Sequence, residues 1–403
     1  MSEWNVCSID ELGSVNRGKS KHRPRNDVIL FGGLYPFIQT SDVKNANLYI
    51  SEYDTTYSEI GLAQSKLWKK GTLCITIAAN IAESAILGID ACFPDSVVGF
   101  MPYEGKADLK FVKYMLDEFK VYMQQISKGT TQDNLSLEKL RRIKFYVPSY
   151  ETQQKIANIL SRYDEAIENN NKRIELLEQM AQNLYKECFV RFRFPGYENS
   201  EFENGIPVGW KVERIGELYH TTSGGTPSRN HEEYYQEGTY PWIKTGELKD
   251  CPIIDTEEYI TEDAIKHSSA KVFEKDSLII AMYGATIGQL GINKMSATCN
   301  QACCVLRPKE NRAFGIYYLF NFFKENRDFI IGLGNGAAQQ NLSQILINKI
   351  KILNPPKEVL EPFEKMQSVF FEKIYFLQRA NKNLAKQRDL LLPRLMSGKL
   401  EVR

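Results

Sequence analysis

The chain has no long apolar run, no paired-cysteine motif and almost no net charge, and each absence removes a class of protein. No stretch reaches the roughly 18–20 uncharged apolar residues that a membrane-spanning helix needs, so no membrane association is expected. The start, Met1-Ser2-Glu3-Trp4, lacks the basic segment and apolar core of a secretion signal, and the expected compartment is the cytoplasm. The eight cysteines (Cys7, Cys74, Cys92, Cys188, Cys251, Cys299, Cys303 and Cys304) include no Cys-x-x-Cys pair. The four histidines (His22, His220, His231 and His267) do not flank them at zinc-ligand spacing. Reduced core thiols and no metal site are expected. The balance of 51 basic against 50 acidic side chains argues against a free-standing nucleic-acid binder, which shows a basic excess. That neutrality is an average. From Ser14 to Arg25 the chain carries Arg17, Lys19, Lys21, Arg23 and Arg25 and no acid. A neutral subunit can also share phosphate contacts with a partner.

What the chain does have is a second copy of itself, displaced by 205 to 207 residues. Trp4 to Leu12 answers to Trp210 to Leu218, and Tyr35-Pro36-Phe37-Ile38-Gln39-Thr40 answers to Tyr240-Pro241-Trp242-Ile243-Lys244-Thr245. Lys70 to Ile75 answers to Lys275 to Ile280, and Gly129 to Ser136 answers to Gly336 to Ser343. A near-constant offset over four anchors points to duplication, and the stretches between them diverge. Each copy opens with about 150 residues in which short β-rich runs, Leu73 to Ala78 and Leu278 to Tyr283, alternate with Gly, Pro and Asn. One amphipathic helix is expected in each, over Leu109 to Ile126 and Ala313 to Ile331.

Each copy then runs into a long helix. The first is expected from about Glu151 to Cys188, opening after Pro148-Ser149, and the second from about Lys357 to Leu392, with Pro393 stopping it. At 1.5 Å per residue each is roughly 50–55 Å long. The first has a seven-residue period, with Leu160, Ile167, Ile174 and Ala181 at one seam position and Tyr163, Asn170, Leu177 and Leu184 at the other. The matching seam of the second is Gln367, Phe370, Ile374, Leu377, Asn381, Leu384, Arg388 and Leu391. A stripe this long needs a partner, and the intervening domain makes an antiparallel pair natural. One register sets Leu160 against Leu391, Ile167 against Leu384, Ile174 against Leu377 and Leu177 against Ile374, and puts Asn170 opposite Asn381. Two facing amides can satisfy each other, where a lone one costs about 1–3 kcal/mol.

Several local patterns, in this order and duplicated, resemble the specificity subunit of type I restriction–modification enzymes. Ile206-Pro207-Val208-Gly209-Trp210 with Ile215-Gly216-Glu217-Leu218 looks like the opening of a target-recognition domain, and Ser223-Gly224-Gly225-Thr226-Pro227 follows it. Pro148 with Glu151 to Ala157 and Leu160 looks like the start of that family's first spacer helix, and Leu391 to Leu400 like its usual ending. The first domain departs from the pattern, with Asn16-Arg17-Gly18-Lys19-Ser20 in place of Ser-Gly-Gly-Thr-Pro, and the second helix begins Glu358-Val359-Leu360-Glu361.

The resemblance covers essentially the whole chain. It implies an α+β (mixed α/β) protein with a target-recognition domain at 1–148, a central spacer helix at 149–190 and a linker at 191–205, then a second domain at 206–355 and a C-terminal helix and tail at 356–403. Each domain would read half of a split double-stranded DNA target. The helices would set the spacing and carry two methyltransferase subunits, and restriction–translocase subunits would join for cleavage. S-adenosylmethionine, ATP and magnesium would bind those partners and none would bind this chain. The setting implied is bacterial or archaeal cytoplasm, on DNA.

Two rival readings follow from the residues. A fused methyltransferase or nuclease would carry its own chemistry. Asn354-Pro355-Pro356-Lys357 resembles the Asn-Pro-Pro-aromatic loop of adenine methyltransferases, but lysine replaces the stacking ring, and a proline stop before a helix fits better. Gly332 to Gly336 follows an expected helix rather than a strand, unlike a dinucleotide loop, and no Walker lysine motif occurs. A stand-alone DNA-binding regulator or scaffold is the other rival, and near-zero net charge argues against tight solitary binding.

Candidate DNA contacts are the variable polar residues of repeated loops and strand ends. In the first copy they are Arg17, Lys19, Lys21, Arg23 and Arg25, suited to phosphates and base edges, with Gln39, Thr40 and Gln132. In the second they are Thr226, Ser228, Arg229, Asn230, Lys244, Thr245, Gln339 and Gln340. Asn134-Leu135-Ser136, shared by both copies, is assigned to structure.

Overall fold

The computed structural model describes residues 4–127, 134–309, 315–334 and 341–402. The chain forms two compact units, one of residues 1–169 with 381–403 and the other of residues 170–380. The unit boundaries fall inside the two long helices, so each globular domain is compact together with half of each helix.

In the first unit the central sheet has five strands in the order Gly13–Arg17, Val97–Pro102, Leu73–Thr76, Ser84–Leu87, Tyr49–Ile50. All neighbours are antiparallel except the last pair, which is parallel. The apolar run Leu73–Thr76 forms the middle strand because it can bury both faces. Leu73 and Ile75 point into one apolar core, with Phe100, Phe111 and Leu160, whereas Cys74 enters another with Trp68, Phe93 and Val97.

The second unit repeats the order with Tyr219–Ser223, Cys303–Pro308, Leu278–Ala281, Leu290–Asn293 and Cys251–Ile253, again with only the last pair parallel. Leu278 and Ile280 face one core, Ile279 and Ala281 the other. In each unit a short antiparallel pair joins the domain's start to its end, Asn5–Cys7 with Phe145–Val147 and Lys211–Arg214 with Lys351–Asn354. The end of each domain is thereby fixed where its long helix begins.

The expected amphipathic helices are each broken in two, at equivalent places. The first runs Leu109–Glu118 and Lys120–Ser127, the second Ile316–Glu325 and Arg327–Gly332. The long helices span Tyr150–Tyr185, continued by a π turn over Lys186–Val190, and Lys357–Met396. Pro393 therefore does not stop the second helix. Its missing N–H forfeits one bond near the end, but its carbonyl still accepts from Ser397 N at 3.1 Å, and Leu395 and Met396 beyond it enter the core of the first unit. The stop is Gly398, which adopts the left-handed φ of 69° that favours glycine, with Leu400 N bonded to Arg394 O at 3.1 Å.

Within each unit the two helix halves run antiparallel. In the first, Leu160 is buried with Leu395 while Leu391 packs on the same core, and Arg388 reaches Asp164. In the second, Tyr185 meets Phe363 with ring centroids 6.3 Å apart, and Gln367 Nε2 donates to Ala181 O at 2.8 Å. The buried Gln367 amide thus takes a backbone carbonyl of the facing helix. Ile167, Phe370 and Ile374 are buried, while Ile174, Leu177, Leu184, Leu377 and Leu384 are half-buried. Asn170 and Asn381 are half-buried as well, and belong to different units.

Candidate DNA interface

Both repeats leave the first strand of the sheet through a glycine that nothing larger can replace without a shift of the backbone. A Cβ on Gly18 would lie 2.2 Å from Pro94 O, and one on Gly224 2.2 Å from Cys299 O. The next backbone N–H is bonded alike in both, Lys19 N to Phe93 O at 3.2 Å and Gly225 N to Cys299 O at 2.9 Å. These matched contacts pair Arg17-Gly18-Lys19-Ser20-Lys21 with Ser223-Gly224-Gly225-Thr226-Pro227, one residue along from the sequence-level match. What both copies share is a pinned backbone, and what differs is the set of side chains it projects.

In the first domain the loop backbone is clamped from residues 57–65. Gln64 Oε1 accepts from Lys21 N at 2.6 Å and from His22 N at 3.1 Å, and the Ser65 hydroxyl donates to Lys19 O at 2.9 Å. His22 Nε2 lies 2.9 Å from Asp27 Oδ2, which together with the Ile29 N–H holds that carboxyl below its ordinary range. Arg17, Lys19, Lys21, Arg23 and Arg25 are all exposed. Arg25 is paired with Asp95 at 2.9 Å, and Arg23 caps the carbonyls of Ser20 and His22 at 2.8 and 2.7 Å. The result is a pre-formed cationic ridge in which Arg17, Lys19 and Lys21 project into solvent.

The second domain treats its charges differently. Arg229 stacks over the Tyr235 ring at 4.1 Å and pairs with Glu258 at 2.7 Å. Lys244 is bonded to both Glu257 and Glu258 at 2.9 Å, and those carboxylates raise its pKa. Both cations, proposed from sequence as DNA contacts, are thus engaged inside the domain. Thr226, Ser228 and Asn230 are all exposed on the same loop, with the Thr226 hydroxyl bonded to Gln301. The loop is held by Trp242 Nε1 donating to Gly225 O at 3.0 Å and by the Tyr235 hydroxyl donating to Pro227 O at 2.7 Å.

Gln39-Thr40 and Lys244-Thr245 sit where a strand gives way to a helical turn. Gln39 N donates to Asp42 at 2.7 Å and Lys244 N to Glu247 at 2.6 Å, so both pairs open a capped turn. Gln132, Gln339 and Gln340 lie outside the described residues. The cysteines are free, and burial pushes the Cys188 thiol up to about 11 and Cys304 to about 12, which disfavours the nucleophilic thiolate. Sequence reasoning missed Gln64, Ser65, Glu257 and Glu258, all of which lie far along the chain from the side chains or backbone they hold.

A model of the type I restriction modification DNA specificity domain matches the chain twice, over residues 1–179 and 207–385. The chain belongs to this family. The specificity subunit of the MjaIX type I restriction enzyme of Methanocaldococcus jannaschii is 28% identical over 412 residues, covering 99% of this chain and 94% of its own length. That of HindI from Haemophilus influenzae is 25% identical and covers 99% of this chain and all of its own. The crystal structure of a type I restriction–modification S subunit from M. genitalium superposes with a TM-score of 0.65 at 18% identity, over 98% of this chain and 96% of that one, and so shares its fold. The two matches of the specificity domain each take in one recognition domain and most of the helix that follows it.

Proposed function

We propose that this chain is the non-catalytic, sequence-reading subunit of a type I restriction–modification complex, with each repeat reading one half of a split DNA target. The observation that supports this best is the doubled, pinned loop. Gly18 and Gly224 fix the same backbone in both copies, while the projecting side chains have diverged to cations in one and to Thr226, Ser228 and Asn230 in the other. A scaffold that conserves loop geometry and varies loop chemistry is what two different readers on one plan require. The long helices set the spacing of the half-targets and carry two methyltransferase subunits, and restriction–translocase subunits join for cleavage. S-adenosylmethionine, ATP and magnesium bind those partners. None of the described helices is long and apolar enough to cross a membrane, and the proposed location is on DNA in the cytoplasm.

The test is methylome sequencing of cells expressing this chain with its methyltransferase, against cells lacking this chain alone. A split motif that disappears with the chain is the expected result. Methylation that persists unchanged would overturn the reading, and methyl transfer by the purified chain alone would favour a fused enzyme instead.

A further inference from the structure

Next in the chain after the cationic ridge, the first domain carries an apolar edge of three large side chains, Val28, Ile29 and Leu34, that no described residue of its own unit buries. The Asp27 carboxylate accepts from Ile29 N at 3.2 Å and caps the single turn Val28–Leu30. Ser58 fastens that turn from the other side, its hydroxyl donating to Ile29 O at 2.7 Å and its N–H to Leu30 O at 2.8 Å. Leu30 is buried, but Val28 is 84% and Ile29 51% exposed. The next strand, Phe31–Pro36, bulges, since Phe31 and Tyr35 both pair with Tyr57 and Gly32-Gly33-Leu34 is looped out between them. Gly33 lies so close to the partner strand that a Cβ would sit 2.4 Å from Tyr57 O, and Leu34 is left 90% exposed.

A solitary exposed leucine needs no explanation. Here three large apolar side chains within residues 28–34 are held outward by a capped turn and a bulge, directly after the acid-free run that carries five cations. Asp27 N bonds Pro24 O at 3.2 Å, so the chain turns back on itself between ridge and edge. Val28 lies within about 11 Å of Arg25 by chain reach alone. An occupant that covers both features would have to be polyanionic and apolar at once. Duplex DNA meets both conditions, with phosphates for the ridge and base faces or thymine methyl groups for the edge. Residues 233–239, the corresponding stretch of the second domain, carry Glu233 and Glu237, and no large hydrophobic there is exposed.

We propose that Val28 and Leu34 make apolar contact with the bases of the first half-target while the neighbouring cations hold its phosphates. This rests on the DNA-reading function proposed above. The experiment uses the full complex of this chain with its methyltransferase subunits, carrying Val28→Ala or Leu34→Ala, both at solvent-exposed positions. Two readouts are taken, binding of a duplex bearing the motif and the methylome. The expected result is about five- to tenfold weaker specific binding, or relaxed base choice confined to the first half of the motif, with the salt dependence of binding unchanged. Binding and a methylome identical to the unsubstituted complex would overturn it. So would loss of the copurifying methyltransferase, which would make the edge a protein interface. If the unsubstituted complex leaves no split motif, the DNA-reading function itself fails and takes this proposal with it.

Discussion

Arg388 of the C-terminal helix donates to Asp164 of the central helix, and the Tyr114 hydroxyl donates to the other oxygen of the same carboxylate. Asp164 is almost fully buried, whereas Arg388 keeps about a quarter of its side chain in solvent. One carboxylate therefore ties the first recognition domain to both helices of its unit. The second unit does the same job with neutral groups, since Gln367 donates to Ala181 O while accepting from Asn321 Nδ2 at 3.3 Å.

Removing one partner of a buried pair leaves the other charge uncompensated, at a cost of about 3–5 kcal/mol. Arg388→Met should leave Asp164 with a single neutral donor and lower the stability of the first unit by about 3 kcal/mol. Gln367→Met loses neutral hydrogen bonds only and should cost about 1 kcal/mol in the second unit. Urea unfolding of the two variants checks the order. Equal losses would show that the charge at Asp164 adds nothing to the junction.

Glu364 supplies a pH dependence. Its carboxylate accepts from Tyr318 N at 2.6 Å, at the opening of the helix Ile316–Glu325, where the residue before the helix is Gly315. In the first domain that work is done locally, by Asp108 accepting from Phe111 N at 2.9 Å. Burial pushes Glu364 up to about 7 from an ordinary 4.5, and the two backbone donors only partly offset this. The folded state therefore holds a proton that the unfolded chain releases between those values, so this group's contribution to stability falls as pH rises from about 4.5 to 7 and is flat above. Glu364→Gln should remove up to about 3 kcal/mol of that slope. Melting temperatures at pH 5 and pH 7.5 test it, and a parallel shift of variant and parent at both would show that Glu364 does not titrate there.

Much of this architecture is legible in the sequence because it rests on periodicity. The offset of about 206 residues gives the two domains, Leu73–Thr76 and Leu278–Ala281 read as buried strands, and the heptads give the long helices. What stays hidden depends on tertiary partners. Pro393 looks like a helix stop until Leu395 and Met396 are seen in the core. Lys244 and Arg229 look like free cations until Glu257 and Glu258 fold against them. The basic run of the first loop was visible as charge, but the clamp by Gln64 and Ser65, 42 to 46 residues away, has no local signature.

The pinned glycines give a prediction specific to each half-target. A methyl group on Gly18 or Gly224 would meet a backbone carbonyl at 2.2 Å, which neither strand can yield without shifting the loop. Gly18→Ala should impair methylation by degrading recognition of the first half-target, and Gly224→Ala the second, each with a strain of about 1–3 kcal/mol. Gly105→Ala, in a first-domain turn where a Cβ meets nothing within 4 Å, serves as control for general destabilisation, since its positive φ alone penalises alanine. Methylome sequencing reads all three. If Gly18→Ala and Gly105→Ala behave alike, the loop geometry is not what recognition depends on.

The unequal treatment of charge in the two domains is measurable as salt dependence. Each phosphate contact that a protein makes steepens the dependence of log K on log salt by about 0.9. Lys19 and Lys21 are exposed and project from a clamped backbone, so Lys19→Gln and Lys21→Gln in the complex should each flatten that slope by nearly one contact and weaken all duplexes alike. Lys244 already satisfies two carboxylates, so Lys244→Gln should leave the slope unchanged and instead loosen the strand end it braces. Binding titrations between 50 and 200 mM salt, values chosen to span the steep range, make the comparison. A flattened slope for Lys244→Gln would mean that DNA displaces Glu257 and Glu258 from the lysine on binding, and the second domain would then hold its cation in reserve rather than lack one.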